Sequence, residues 1–200
     1  MRVLLWLVIF FAVLIWSVID PYDYPTWVLE VFPALAGFVI LVVTRRRFPL
    51  TPLTYVLILI FSLILMVGGH YTYARVPLFD DLSAWFGWGR NNYDKLGHFA
   101  QGFVPAIIAR EILVRLSVVK GRGWLNLFVI SFCLAVSALY ELVEWAVALI
   151  SEEAAASFLG TQGYVWDTQS DMAMALFGAV VALLVLGRVH DRQIHRLQRT

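Results

Sequence analysis

His70, Asp94, His98, Glu141, Glu144, Asp167 and Asp171 are imidazole and carboxylate groups set in or beside long apolar runs. Such groups are costly near hydrocarbon, and an ionisable cluster there is a functional site by default. Asp94 and His98 are four residues apart, as are Asp167 and Asp171, while Glu141 and Glu144 are three apart. Each pair therefore shares one face of its helix. Gln101 extends the Asp94/His98 stripe. Carboxylates packed together in a low dielectric repel one another unless a cation sits among them. Imidazole with carboxylate suits Zn or Mn, and carboxylate alone suits Mg. A metal held there polarises a phosphoryl oxygen or activates water. The expected ligands are His70, His98, Glu141, Glu144, Asp167 and Asp171. His98, Glu141 and Asp171 are the expected catalytic residues, and Asp94, Lys95, Gln101, Arg75 and Gln169 the expected substrate contacts. The spacing is neither HExxH nor an EF-hand loop, and no GxSxG elbow, P-loop or dinucleotide fingerprint is present.

The elements that must carry these residues are membrane helices. Of the 200 residues, 61% are hydrophobic and only 14% charged, where soluble domains carry about 25% charged residues. Apolar segments recur at roughly 3–19, 26–43, 53–70, 94–115, 125–150 and 167–187, and about 20 such residues cross a bilayer. The expected fold is an all-α polytopic transmembrane helix bundle of six spans, forming one integral membrane domain over 1–200. The alternating ten-residue pattern of an outer-membrane barrel is absent. The first apolar run is long for a signal peptide and lacks a small-x-small cleavage pattern, so it reads as a retained helix. A net charge of +1 gives no reason to expect a nucleic-acid partner. Cys133 is the single cysteine and sits in an apolar helix, which excludes an intrachain disulfide and marks it as packing.

Basic residues set the orientation. Twelve of the fifteen Lys and Arg fall at Arg2, at 45–47, at 110–122 and from Arg188 onward, which places both termini in the cytoplasm. Depth then follows from a rise of about 1.5 Å per residue. His70 lies about 25 Å above Leu53, His98 about 6 Å below Asp94, and Glu141 and Glu144 about 24 and 28 Å above Leu125. The run 172–187 is only about 24 Å long, so the sixth helix must begin near Asp167 and carry Asp171 into the same outer layer. Glu30, about four residues into the second span, reaches that depth too.

The remaining polar residues read as structure. Glu111 and Arg115 are four apart and pair at the inner end. His190 and His195 belong to a basic tail that anchors against anionic lipid. Gly68, Gly69, Gly102 and Gly178 allow close helix approach, and Pro105 kinks its helix beside His98. The segment 71–93 is an interfacial stretch rich in aromatics, with a short helix from about Leu82 capped by Asp80 and Asp81. It anchors the outer face or covers the polar layer.

The motifs Asp94-Lys-Leu-Gly-His98-Phe, Tyr140-Glu141-Leu-Val-Glu144-Trp and Trp166-Asp167-Thr-Gln-Ser-Asp171, with Gly69-His70-Tyr-Thr-Tyr-Ala-Arg75-Val-Pro77, resemble the YjdF-type family of bacterial inner-membrane proteins. The order of the first three motifs, over a shorter stretch, is similar to the VanZ-like proteins, although Asp171 stands where that pattern usually has Asn. The first resemblance implies a multi-pass protein of the bacterial inner (cytoplasmic) membrane. The second, through an association with teicoplanin resistance, implies lipid-linked or cell-envelope material as substrate. Residues and resemblance together lead to one expectation. An outward-facing acidic/histidine pocket binds or processes a lipid-linked or envelope substrate, with a divalent metal (Zn, Mn or Mg) and membrane lipid as partners. As an enzyme it would be a metal-assisted hydrolase or transferase acting on a phosphate-bearing headgroup. The alternatives are a small transporter or ion-binding protein, or a non-catalytic assembly protein whose polar layer only locks helices.

Overall fold

The computed structural model describes residues 3–150 and 162–199. Seven helices are described: α1 (Val3–Val18), α2 (Tyr24–Thr44), α3 (Pro52–Tyr71), α4 (Pro77–Phe86), α5 (Tyr93–Arg115), α6 (Arg122–Ile150) and α7 (Asp167–Leu197). No strand occurs among the described residues. Helix starts follow local chemistry. The Asp23 carboxylate accepts the Thr26 amide at 2.9 Å ahead of α2, and Thr51 caps α3, each with a proline in the first turn. Proline there loses no helical hydrogen bond and arrives with helical φ.

α2, α3, α6 and α7 are long and apolar enough to cross a membrane, while α1 is an apolar helix of 16 residues. α5 spans 23 residues but carries Asp94, Lys95, His98, Gln101, Arg110 and Glu111. It tolerates that load because it is the central helix, with eleven of its residues buried. The outer surfaces of the other helices are apolar, as at Leu4, Val43, Leu139, Leu184 and Val185. An apolar exterior of this extent suits hydrocarbon and would be a liability in water.

Two apolar cores flank the polar regions. One joins α1, α2 and α3 around Phe10, Val31 and Met66; the other joins α5, α6 and α7 around Ile107, Val129, Cys133, Ala179 and Ala182. α5 and α7 pack backbone to backbone. A Cβ on Gly102 would run into the Ala175 carbonyl, and one on Gly178 into the Phe99 carbonyl. Such reciprocal small-residue contacts let two helices approach closely in lipid, where packing rather than the hydrophobic effect drives association.

Three expectations are corrected here. The interfacial helix begins at Pro77, with Asp80 inside its first turn, so Asp80 and Asp81 do not cap it. Asp80 instead accepts Asn91 Nδ2 at 2.7 Å and ties α4 to the start of α5. The last helix does not stop at 187 but continues to Leu197. His190 is therefore not part of a lipid-anchoring tail; it is fully buried in the bundle. Its Nδ1 accepts from Arg110 Nη1 at 3.2 Å, so its Nε2 donates to Glu111 at 3.1 Å. Glu111 also accepts from Thr51 N, Thr51 Oγ1, Thr54 Oγ1 and Arg115, at 2.6 to 3.0 Å. Arg110 reaches Asp191 at 2.5 Å. This network, with Glu111 and Arg115 paired as expected, locks the start of α3 to the ends of α5 and α7.

Candidate functional site

A polar cluster is built at the start of α5 and closed by α6, α7 and the link before α5. On α5, one turn brings Asp94 Oδ1 to 3.3 Å from His98 Nε2. Across the glycine-mediated contact, α7 presents Asp171 Oδ1 at 3.9 Å from the same nitrogen. Lys95 Nζ bridges Asp167 Oδ1 at 2.8 Å and Asp171 Oδ1 at 2.6 Å. Arg90 holds Asp167 at 2.5 Å and Asp94 at 3.4 Å. These groups are almost enclosed, with Asp171 at 3% exposure and His98 at 6%. A buried pair of this kind costs desolvation and survives only with good geometry and further hydrogen bonds.

The other face of His98 is engaged as well. Its Nδ1 donates to Gln101 Oε1 at 2.9 Å. With that proton assigned, a neutral ring directs the lone pair of Nε2 at two carboxylate oxygens, which is repulsive. A cation at Nε2, either a proton or a metal ion, removes the conflict. Metal-bound histidines commonly donate their second ring N–H to an oxygen in this manner. Asp94, His98 and Asp171 each offer one donor atom, and the three atoms lie within 4.8 Å of one another. Glu141 Oε1 sits 3.8 Å from His98 Nδ1 and has no hydrogen-bond partner among the described residues.

Behind His98 lies a cavity of about 140 Å³, bounded by Glu30, Tyr73, Gln101, Pro105, Tyr140 and Glu144. Tyr140 donates to Glu30 Oε2 at 3.0 Å. Tyr73 reaches this place by an unusual path. Thr72 and Tyr73 both take left-handed backbone conformations, with φ of 57° and 30°, which costs non-glycine residues about 1–3 kcal/mol each. The fold thereby turns the Tyr73 ring back between Gly68 and Gly97, where a Cβ would overlap it. Burial pushes the Tyr73 hydroxyl well above its ordinary pKa, so it remains a neutral hydrogen-bonding group.

Toward the outer surface, Asn91 and Gln162 exchange backbone-to-side-chain hydrogen bonds at 2.9 Å. They seat Tyr164 over Arg90 and Lys95, whose charges lie 5.6 and 5.7 Å from its ring centre. The site thus gathers Asp94, Lys95, His98, Gln101, Glu141, Glu144, Asp167 and Asp171. It does not include His70, whose Nδ1 meets the Ser17 carbonyl at 3.2 Å and whose ring packs on Trp16 and Tyr71. His70 faces α1, away from the direction a ligand would need. Arg75 is exposed and stacks on Tyr22 at 4.0 Å, and Gln169 lies on the exposed face of α7. Tyr73 and Tyr140 are site residues that the chemistry of imidazoles and carboxylates does not single out. Tyr140 had a signal, since it lies four residues before Glu144 and shares its face.

A family model described as "Predicted membrane protein (DUF2238)" matches residues 2–192. The inner membrane protein YjdF of Escherichia coli (strain K12) is 52% identical over 184 residues, covering 92% of this chain and 88% of that protein. No solved structure matches. The YjdF-type resemblance of the motifs is thereby borne out; similarity to VanZ-like proteins is not shown by these comparisons.

Proposed function

The chain belongs to the DUF2238 family of predicted membrane proteins, and from that premise we propose that it spans the inner membrane six times and binds a divalent cation at Asp94, His98 and Asp171, close to the outer leaflet. The cation engages a phosphate-bearing headgroup of a lipid or lipid-linked envelope substrate. In this topology α1, α2, α3, α5, α6 and α7 cross, α4 lies along the outer face, and both termini are cytoplasmic by the positive-inside rule. The inner-membrane location of the 52% identical relative agrees with this placement.

One observation carries the reading: His98 Nε2 is aimed between two carboxylate oxygens while Gln101 occupies Nδ1. The charge balance supports it. Among the described residues, Glu30, Asp94, Glu141, Glu144, Asp167 and Asp171 face only Arg90, Lys95 and His98 as bases. Lys95 shares Asp171 Oδ1 with the imidazole, so cation binding displaces it onto Asp167. A metal held by Asp94, His98 and Asp171 would supply polarisation of a phosphoryl oxygen and acidification of water. Glu141, with its free Oε1, takes the water proton as the water oxygen bonds to phosphorus. The phosphorus–oxygen bond to the leaving alcohol breaks, and the proton passes to that alcohol.

A transport reading needs a polar path between the two faces. Between His98 and Arg110, a rise of about 18 Å, the buried positions of α5 after Gln101 are Gly102, Val104, Ala106 and Ile107, set against Ala175, Ala179 and Ala182. That apolar plug opposes a proton wire. Equilibrium dialysis of chelator-stripped protein against Mn²⁺ or Zn²⁺ tests the proposal. One ion per chain, lost in folded His98→Ala and Asp171→Asn, supports it. No binding, with both variants merely less stable, means that the cluster only locks helices.

A further inference from the structure

A second cavity, independent of the outer site, lies at the opposite end of the bundle between α1, α2 and α3. Its volume is about 860 Å³, within the usual range for ligand pockets. The floor is aromatic: Trp6, Phe11 and Phe38 line it over the buried Phe10, and the four rings meet stacked or edge-on with centres 5.0 to 6.2 Å apart. The walls are aliphatic, and the groove opens sideways along helices whose outer surfaces are apolar. Its polar atoms gather at one end. Arg45 and Arg46 line the mouth, both exposed, and no carboxylate among the described residues lies within ion-pair distance of either. Tyr55 also lines it; its hydroxyl accepts the Leu50 amide at 3.3 Å, and no acceptor for its own proton occurs among the described residues. An apolar slot with unneutralised guanidinium groups at headgroup level has the complementarity of one molecule: an acyl chain attached to an anionic phosphate.

We infer that this groove is a binding site for an anionic phospholipid of the inner leaflet, with one acyl chain along Trp6, Leu7 and Phe38 and its phosphate on Arg45, Arg46 and the Tyr55 hydroxyl. Basic pockets between membrane helices on the cytoplasmic side recognise anionic headgroups in this way, and the planar guanidinium matches a phosphate with paired hydrogen bonds. Arg45 and Arg46 stand at the turn that leads into α3, so the lipid staples the first three helices at that end.

Trp6 provides the reporter. Full-length protein is reconstituted in phosphatidylcholine vesicles doped with chain-brominated phosphatidylglycerol or chain-brominated phosphatidylcholine. The Trp6 signal is the difference between the wild type and Trp6→Phe. The expected result is half-maximal quenching at a several-fold lower mole fraction of the anionic lipid, with the preference abolished in Arg45→Gln/Arg46→Gln. Both arginines are exposed, so that variant keeps the fold. As a second readout, phosphatidylglycerol should copurify with the wild type and be lost from the double variant. Equal quenching by both lipids, with no copurifying anionic lipid, means bulk bilayer contact and overturns the inference. Absent quenching together with a chemically cross-linked dimer through α1 means that a second copy fills the groove and overturns it too.

Discussion

Replacing Lys95 with methionine separates the two jobs proposed for the Asp94/His98/Asp171 cluster, locking helices and holding a cation. The ammonium lies 2.8 Å from Asp167 and 2.6 Å from Asp171, with side chains 16%, 8% and 4% exposed. Methionine keeps an unbranched stem as far as Cε and removes the ammonium. Breaking a buried ion pair from one side costs about 3–5 kcal/mol, because the remaining carboxylate is left unneutralised. Arg90 still holds Asp167, so the orphan is chiefly Asp171, and the lower end, about 3 kcal/mol, is expected in chelator. That is a factor of more than one hundred in the ratio of folded to unfolded protein, at about 1.4 kcal/mol per tenfold. Adding Mn²⁺ offsets part or all of that loss. Lys95 no longer competes for Asp171 Oδ1, and a like charge about 4 Å away is worth about 4 kcal/mol per unit of charge on the ion at an effective dielectric near 20, less what solvent and counterions screen. The variant should therefore bind the cation between about tenfold and a thousandfold more tightly, at about 1.4 kcal/mol per tenfold. Thermal unfolding in detergent, followed by intrinsic tryptophan fluorescence with and without Mn²⁺, measures both effects. An unfolding temperature that falls equally in chelator and in Mn²⁺ would refute the reasoning, and so would a variant as stable as the wild type in chelator.

Other substitutions probe the frame around the site. Gly102→Val forces a side chain into the Ala175 carbonyl; overpacking that only a backbone shift can relieve should cost about 3 kcal/mol or more, seen as lost folded yield in gel filtration. Glu111→Ala strips five donors of their acceptor and should destabilise by about 3–5 kcal/mol. A thermal shift within a degree or two would show the inner network to be dispensable. Tyr140→Phe removes one of the two phenol groups beside Glu30 and should cost about 1–2 kcal/mol. Its cation stoichiometry in dialysis should equal that of the wild type, since Tyr140 is not a ligand.

Depth was the legible quantity and rotation was not. Counting residues along apolar runs locates helices α1 to α3, α5, α6 and the start of α7 closely, and lifts Asp94, His98, Glu141 and Asp171 to one level. The same count lifts His70 to that level, but α3 is apolar on all sides and nothing local fixes which way its last turn faces. Its contact with Ser17, 53 residues earlier, decides the matter. The tail fails in a similar way. Basic residues around His190 read as a lipid-facing anchor, whereas its burial depends on Glu111, 79 residues away. Tyr73 was hidden because its placement rests on two non-glycine residues in left-handed conformations, which propensity argues against. The close α5–α7 contact was readable, because Gly102 and Gly178 leave little reason for glycine in a helix other than a neighbouring backbone.

The central claim is a cation held by His98 between Asp94 and Asp171. X-ray absorption at the zinc edge, on protein loaded with one equivalent of Zn²⁺, addresses it directly. The account predicts one imidazole nitrogen at about 2.0–2.1 Å with carboxylate oxygens at about 2.0–2.2 Å, and loss of the imidazole signal in His98→Gln. A shell of oxygen alone, or zinc that washes out to background, would contradict it.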